Sequence, residues 1–180
     1  GVDKEQKLIL CIGELLPNKN QTMAIKMMQE VIKKFPTAQL LLAGNGPEKE
    51  QLENKIKEYG MQSNVKLLGY VTNLQDYQHI VDVAVSCSKR EGLPLNIVEA
   101  MLSGTPVVAT MNRGHRELIK DKQNGYLVDV DDFRGMSDYV IDLLNNKEEY
   151  NRIKHRAKKS AIKYSFENVK SELEGIYFGK

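Results

Sequence analysis

Two carboxylates with seven residues between them, Glu91 and Glu99, bracket the stretch Gly92-Leu93-Pro94-Leu95-Asn96-Ile97-Val98. Gly92 and Pro94 predict a sharp bend followed by a stiff first helical turn, where proline's missing N–H costs nothing. Such a helix begins with several backbone N–H groups unpaired and with the positive end of its dipole beside them, an arrangement that suits a phosphate. Glu91 falls in the turn, and Glu99 falls about one helical turn inside, within reach of a group held at the helix end. An anion site with a carboxylate on each flank fits a ligand with phosphate in its middle and hydroxyls at both ends, as in a nucleotide-sugar. The plain alternative is an exposed turn carboxylate at Glu91 and an ordinary helix residue at Glu99. Against it, Ile97, Val98, Ala100 and Met101 around Glu99 predict a helix buried over most of its surface, where a carboxylate needs a partner or a ligand hydroxyl.

Other residues could join this chemistry. Lys19 closes a loop rich in Pro, Gly and Asn and could reach a phosphate as a point charge, although lysines are mostly solvated surface groups. Gly44-Asn45-Gly46-Pro47-Glu48-Lys49 begins like a dinucleotide fingerprint, but Lys49 stands at the third glycine position and the turn follows the second strand. This argues against NAD or FAD and leaves either a tight backbone approach to a ligand or a plain strand-to-helix turn.

These turns need elements to position them. Leu8-Ile9-Leu10-Cys11-Ile12, Leu40-Leu41-Leu42-Ala43, Val65-Lys66-Leu67-Leu68, Val83-Ala84-Val85-Ser86-Cys87 and Val107-Val108-Ala109-Thr110 are short apolar runs of the kind that strands covered on both faces require, and Asn124 to Val128 reads as a brief sixth. Helical spacing lies between them. The apolar stripe Ala24, Met27, Met28, Val31, Ile32 and Phe35 ends at Pro36, a second helix ends at Gly60, and two helices from about 132 to 163 with a terminal segment from 165 to 178 close the chain. Strands alternating with helices predict an α/β doubly wound parallel sheet of about six strands with helices on both faces, in one domain. In such a sheet ligands sit off the carboxyl ends of the strands, and every loaded turn above follows a strand.

Composition narrows the function classes. Of the 180 residues 41% are hydrophobic and 28% charged, a globular profile. A net charge of +2, no Trp and few aromatics argue against nucleic acid. Cys11 and Cys87 sit inside apolar runs, as buried reduced thiols do, and no metal pattern is present. No apolar run approaches the ~18 residues of a membrane span and no signal peptide is visible, so the chain reads as cytoplasmic.

The segment EGLPLNIVEAMLSGTPVVA, with its E-x7-E spacing, resembles the signature of the large retaining glycosyltransferase family with the GT-B fold that includes sucrose synthase. IGELLPNKN, LLLAGNGPEKEQLE, VKLLGYVTN, the run after the fifth strand and NGYLVDVDD stand in the order of that family's C-terminal, donor-binding domain, in the manner of bacterial capsular and exopolysaccharide enzymes. The resemblance implies that Glu91 contacts hydroxyls of the transferred sugar and Glu99 bonds the ribose. It implies that Lys19 and backbone N–H groups around Leu93 and Leu95 hold the diphosphate. Gly13 would permit close approach to the phosphates, and the backbone near Tyr70 would line the base pocket, while Gly46 belongs to the turn whose own residues read as a tight backbone approach to the donor. The expected donor is a UDP-sugar, with no cofactor and no protein-bound metal. The acceptor site and a histidine near the reaction centre would belong to an N-terminal domain for which 180 residues leave no room, so the chain alone is expected to bind nucleotide without transferring sugar.

The sequence departs from the family pattern at Glu14, where many members carry an Arg on the diphosphate, and Lys89 or Arg90 is the expected substitute. Arg113-Gly114 likewise replaces the usual glycine pair. Between Tyr150 and Tyr164, Arg152, Arg156, Lys159 and Lys163 line one helical face and Ile153, Ala157 and Ala161 the other. This is a helix expected to dock on its own domain, with peripheral contact to an anionic membrane as the alternative. Residues 165–180 are expected to pack on the N-terminal domain. The competing readings are a nucleotide-binding or interaction module without catalysis, and a nucleotide-sugar epimerase.

Overall fold

The computed structural model describes residues 6–179. In chain order these form β1 (Leu8–Ile12), α1 (Gln21–Lys34), β2 (Gln39–Ala43), α2 (Lys49–Glu58), β3 (Val65–Gly69), α3 (Leu74–Ile80), β4 (Val83–Ser86) and α4 (Leu95–Ser103). There follow β5 (Val107–Thr110), α5 (Arg113–Leu118), β6 (Tyr126–Val128), α6 (Phe133–Asn145), α7 (Lys147–Ala161), a 3-10 turn (Ile162–Tyr164) and α8 (Phe166–Phe178). The six strands make one sheet in the order β3-β2-β1-β4-β5-β6, every pair parallel. The expected doubly wound architecture is therefore present. The winding reverses between β1 and β4, where Ile9 pairs with Val83 and Leu10 with Ala84, and the carboxyl edge of such a switch point is where an open parallel sheet binds its ligand.

Alternation within the strands builds a core on each face. Ile9 and Cys11 of β1 point to one side, with Leu40, Leu42, Val83 and Val85, under α1 and α6. Leu8 and Leu10 point to the other, with Leu41 and Ala43 under α3, while Ala84, Val107 and Ala109 meet α4 and α7. The stripe of α1 is buried through Met23, Ala24, Met27, Met28 and Val31. Both cysteines are buried and free, and burial pushes the Cys11 thiol up to about 12.

One boundary differs from the sequence reading in an informative way, and another agrees with it. Pro94 is the N-cap of α4 rather than part of its first turn. Its ψ of 93° is extended, and its carbonyl accepts the N–H groups of Ile97 and Val98. Gly60 follows the end of α2 with φ of +65°, the left-handed residue that terminates it. The helix α7 docks on its own domain, as expected, burying Ile153, Ala157 and Ala161. By contrast α8 leaves Phe166, Val169, Leu173, Ile176 and Tyr177 exposed. No described helix is long and apolar enough to cross a membrane.

Candidate functional site

Parallel pairing puts every strand's carboxyl end on one edge, and hydrogen bonds stitch the emerging loops together there. The Gly13 N–H donates to the Ala43 carbonyl, Leu15 N–H to Asn45 and Gly44 N–H to Gly69, joining the loops after β1, β2 and β3 in series. Gly44 is required by this stitching: its φ is +144°, and a Cβ there would stand 2.0 Å from the Gly13 carbonyl oxygen. Across the switch point Asn18 receives the Lys89 N–H on its carbonyl and donates its amide to the Arg90 carbonyl. Asn96, in the first turn of α4, donates to the Ile12 carbonyl at 2.9 Å, and Asn20 reaches Asp131 beyond β6. The buried Gln21 fixes the first loop from beneath through the Glu14 carbonyl at 2.8 Å.

At the centre of this edge Lys19 Nζ lies 2.6 Å from Glu91 Oε1, both side chains largely covered. Residues 72 positions apart in sequence thus meet as an ion pair directly before α4. The N–H groups of Gly92, Leu93, Leu95 and Asn96 find no acceptor among the described residues, and no side chain caps the helix. A cation, a row of free amides and a helix dipole therefore converge on one point, which is the chemistry of an oxyanion or phosphate cradle. The side chains of Leu93 and Leu95 are half or more exposed beside it, and Lys89 and Arg90 are exposed at its rim.

Beneath the cradle lies a buried polar cluster that sequence reasoning passed over. The Thr110 carbonyl, which can only accept, sits 2.6 Å from His115 Nδ1, so that nitrogen carries the ring proton and Nε2 accepts from the Ser86 hydroxyl at 3.1 Å. Asn112 caps α5 by accepting the His115 N–H and donates to the Ser88 carbonyl at 2.8 Å. The cluster ties the ends of β4 and β5 at the point where the Glu91 loop departs. Burial is the main cause that holds the His115 pKa below its ordinary value. The unfolded chain therefore binds this proton at a higher pH than the folded chain does, so stability is full above about pH 6.5 and falls as pH drops below it. Chemical denaturation below about pH 6.5 is expected to show stability falling with pH, a dependence that His115→Asn diminishes.

A cleft of about 230 Å³ adjoins the cradle, lined by Ile12, Gly13, Glu14, Ala43, Asn45, Tyr70 and Leu74, among others. Gly13 and Tyr70 thus fall on one cavity, with the Tyr70 ring open to solvent. Glu14 is exposed on its lining, its carbonyl held by Gln21. Gly46 lies against the chain itself: a Cβ there would meet the Leu15 carbonyl oxygen at 2.4 Å. Glu99 departs from the expected burial. The buried stripe of α4 is Ile97, Val98, Ala100 and Met101. At about 100° per residue Glu99 projects from the opposite side, where it is exposed with Gln78 Nε2 at 3.4 Å. Among the described residues no group of three or more His, Cys, Asp or Glu side chains could hold a metal ion.

The Glycosyl transferases group 1 family matches residues 1–160. The putative glycosyltransferase EpsD of Bacillus subtilis is 29% identical over 177 residues, which are 98% of this chain and 46% of EpsD. A poly(ribitol-phosphate) alpha-N-acetylglucosaminyltransferase of Staphylococcus aureus is 31% identical across 91% of this chain and 34% of its own length. The chain thus spans half or less of the length of these relatives. Among solved structures, S. aureus TarM, crystallised with UDP, fondaparinux and alpha-GlcNAc-glycerol, superposes on 96% of this chain and 35% of its own with a TM-score of 0.86 at 29% identity. The crystallised C-terminal domain of LpcC from Francisella tularensis shares the fold at a TM-score of 0.81 and 24% identity, covering 89% of this chain and 87% of that one. The chain belongs to the Glycosyl transferases group 1 family, and its fold is that of a GT-B C-terminal domain.

Proposed function

We propose that this chain is the donor-binding half of a retaining glycosyltransferase that moves a hexose from a UDP-sugar to a glycan or lipid-linked acceptor in bacterial surface polysaccharide synthesis. The observation that carries the reading is the Lys19–Glu91 pair at 2.6 Å before the uncapped start of α4, at the switch point of the sheet. In this reading the diphosphate lies over the free amides of Leu93 and Leu95 with Lys19 and the exposed Arg90 beside it. Glu91 receives a sugar hydroxyl, Glu99 the ribose, and the cleft by Gly13 and Tyr70 the base. As the glycosidic bond breaks, charge grows on the leaving diphosphate, and preorganised donors aimed at it each contribute a few kcal/mol. The UDP in TarM supports uracil as the base.

The acceptor half is assigned to a further domain of the parent protein, in keeping with relatives at least twice as long. Exposed Tyr70, Leu93, Leu95 and Met111 all follow strand ends and would face it, and the apolar face of α8 would pack on it. Calorimetric titration of the chain with UDP, GDP and ADP tests the assignment. UDP is expected to bind and the other two to bind more weakly, with no sugar transfer by the chain alone. Absence of any nucleoside diphosphate binding, or robust turnover by these 180 residues, contradicts it.

A further inference from the structure

Away from the cradle the chain carries a strongly basic face. Residues 152–163 hold six Lys and Arg and no Asp or Glu, against a net charge of +2 for the whole chain, so the rest of the chain is net negative. Arg152 is occupied by Glu149. Lys154, Arg156, Lys158, Lys159 and Lys163 are exposed, and none has a carboxylate within ion-pair distance among the described residues. Because Ile153, Ala157 and Ala161 are spent on the domain core, the charges have a rigid, outward-facing platform.

Three cations from two elements meet on one groove of this face. Lys120 from the loop between α5 and β6 stands with Arg156 and Lys159 around a broad depression of about 610 Å³ that Gln123, Asn124 and Ser160 also line. Its floor is fixed, since the Asn124 amide donates to the Ser160 hydroxyl at 2.7 Å and Ser160 donates to the Ala157 carbonyl. The loop leads into the amino end of β6, so the groove belongs to the edge of the sheet opposite the nucleotide cradle. Next to Lys158, Lys159 and Lys163 the side chain of Ile162 is 57% exposed.

We propose that this face docks the domain on an anionic phospholipid surface, with Lys120, Arg156 and Lys159 receiving headgroup phosphates and Ile162 entering the interface. Clustered Lys and Arg on a helix face are attracted to acidic headgroups, and an apolar side chain set among them is suited to a lipid boundary rather than to a nucleic-acid backbone. Docking by this edge leaves the cleft and cradle open to a soluble donor.

The test is cosedimentation of the chain with vesicles of phosphatidylcholine alone and of phosphatidylcholine with phosphatidylglycerol, at low and high salt. Binding is expected only to the acidic vesicles and is expected to fall with salt. Each cation contributes about fivefold to partitioning, so the triple variant Arg156→Gln, Lys159→Gln, Lys163→Gln is expected to bind roughly a hundredfold more weakly. Its UDP affinity and thermal midpoint are expected to match the parent chain, since all three side chains are exposed. Ile162→Ala is expected to lower partitioning severalfold. Equal binding to neutral vesicles, undiminished binding by the triple variant, or binding to an RNA homopolymer without binding to acidic vesicles overturns the proposal.

Discussion

Lys19→Ala is expected to weaken UDP binding by about ten- to a hundredfold, because a charge-assisted hydrogen bond to phosphate is worth roughly 1.5–3 kcal/mol. Glu91→Gln is expected to act differently. It breaks the same 2.6 Å ion pair but removes a negative charge from beside the diphosphate, so free UDP binds no more weakly while the affinity for the UDP-sugar falls. If the pair merely held two loops together, both substitutions would reduce UDP affinity alike. Calorimetry on the two variants separates these cases. Adding Lys89→Ala and Arg90→Ala tests the role left open by Glu14: a further loss with either is expected if an exposed rim cation takes the place of the family arginine, and no loss with both assigns the phosphate to Lys19 and the backbone alone.

The second large effect concerns a residue that touches no ligand. A Cβ on Gly114 would lie 2.2 Å from the Gly92 carbonyl oxygen and 2.8 Å from Glu91 Cβ, with backbone on both sides of the clash. Neither wall is a flexible side-chain end, so Gly114→Ala must displace the loop that carries Glu91. Overpacking of this kind costs about 1–3 kcal/mol. We expect a thermal midpoint lowered accordingly and UDP affinity reduced at least tenfold, because the free amides before α4 move with the loop. Gly92→Ala is the control for stability, since a Cβ there meets nothing within 4 Å. Its thermal midpoint is expected to stay near that of the parent chain. Equal destabilisation by the two substitutions would show that the Gly114 contact does not set the loop.

The need for a glycine at Gly114 also explains a feature of the sequence. Of the family's glycine pair this chain retains only the second member, and it is the second that the structure packs against Gly92, while Arg113 points outward with Glu117 as its partner.

Most of the architecture was legible because the strands are short apolar runs separated by Gly, Pro and Asn, and because a parallel sheet forces all their carboxyl ends to one edge. The convergence of Lys19 and Glu91 follows from that topology alone. What the sequence obscured was orientation and long-range polar contact. Glu99 sits among apolar neighbours and so reads as buried, yet the 3.6-residue period turns it to solvent. Gly46 reads as room for a ligand, but the approaching backbone is that of Leu15. His115 has partners on β4 and at the end of β5, Ser86 and Thr110, and no local spacing announces a histidine whose partners come from two other elements. Asn18, Gln21 and Asn96 were invisible for the same reason. An amide that donates to a backbone carbonyl across a switch point looks, in sequence, like any loop asparagine.

The structure of the chain with UDP bound tests the central claim most directly. The account predicts diphosphate oxygens within hydrogen-bonding distance of the Leu93 or Leu95 amide and of Lys19 Nζ, with the uracil in the cleft beside Gly13 and Tyr70. A nucleotide lodged elsewhere, such as the groove of Lys120 and Arg156, with the start of α4 still bare, would contradict it.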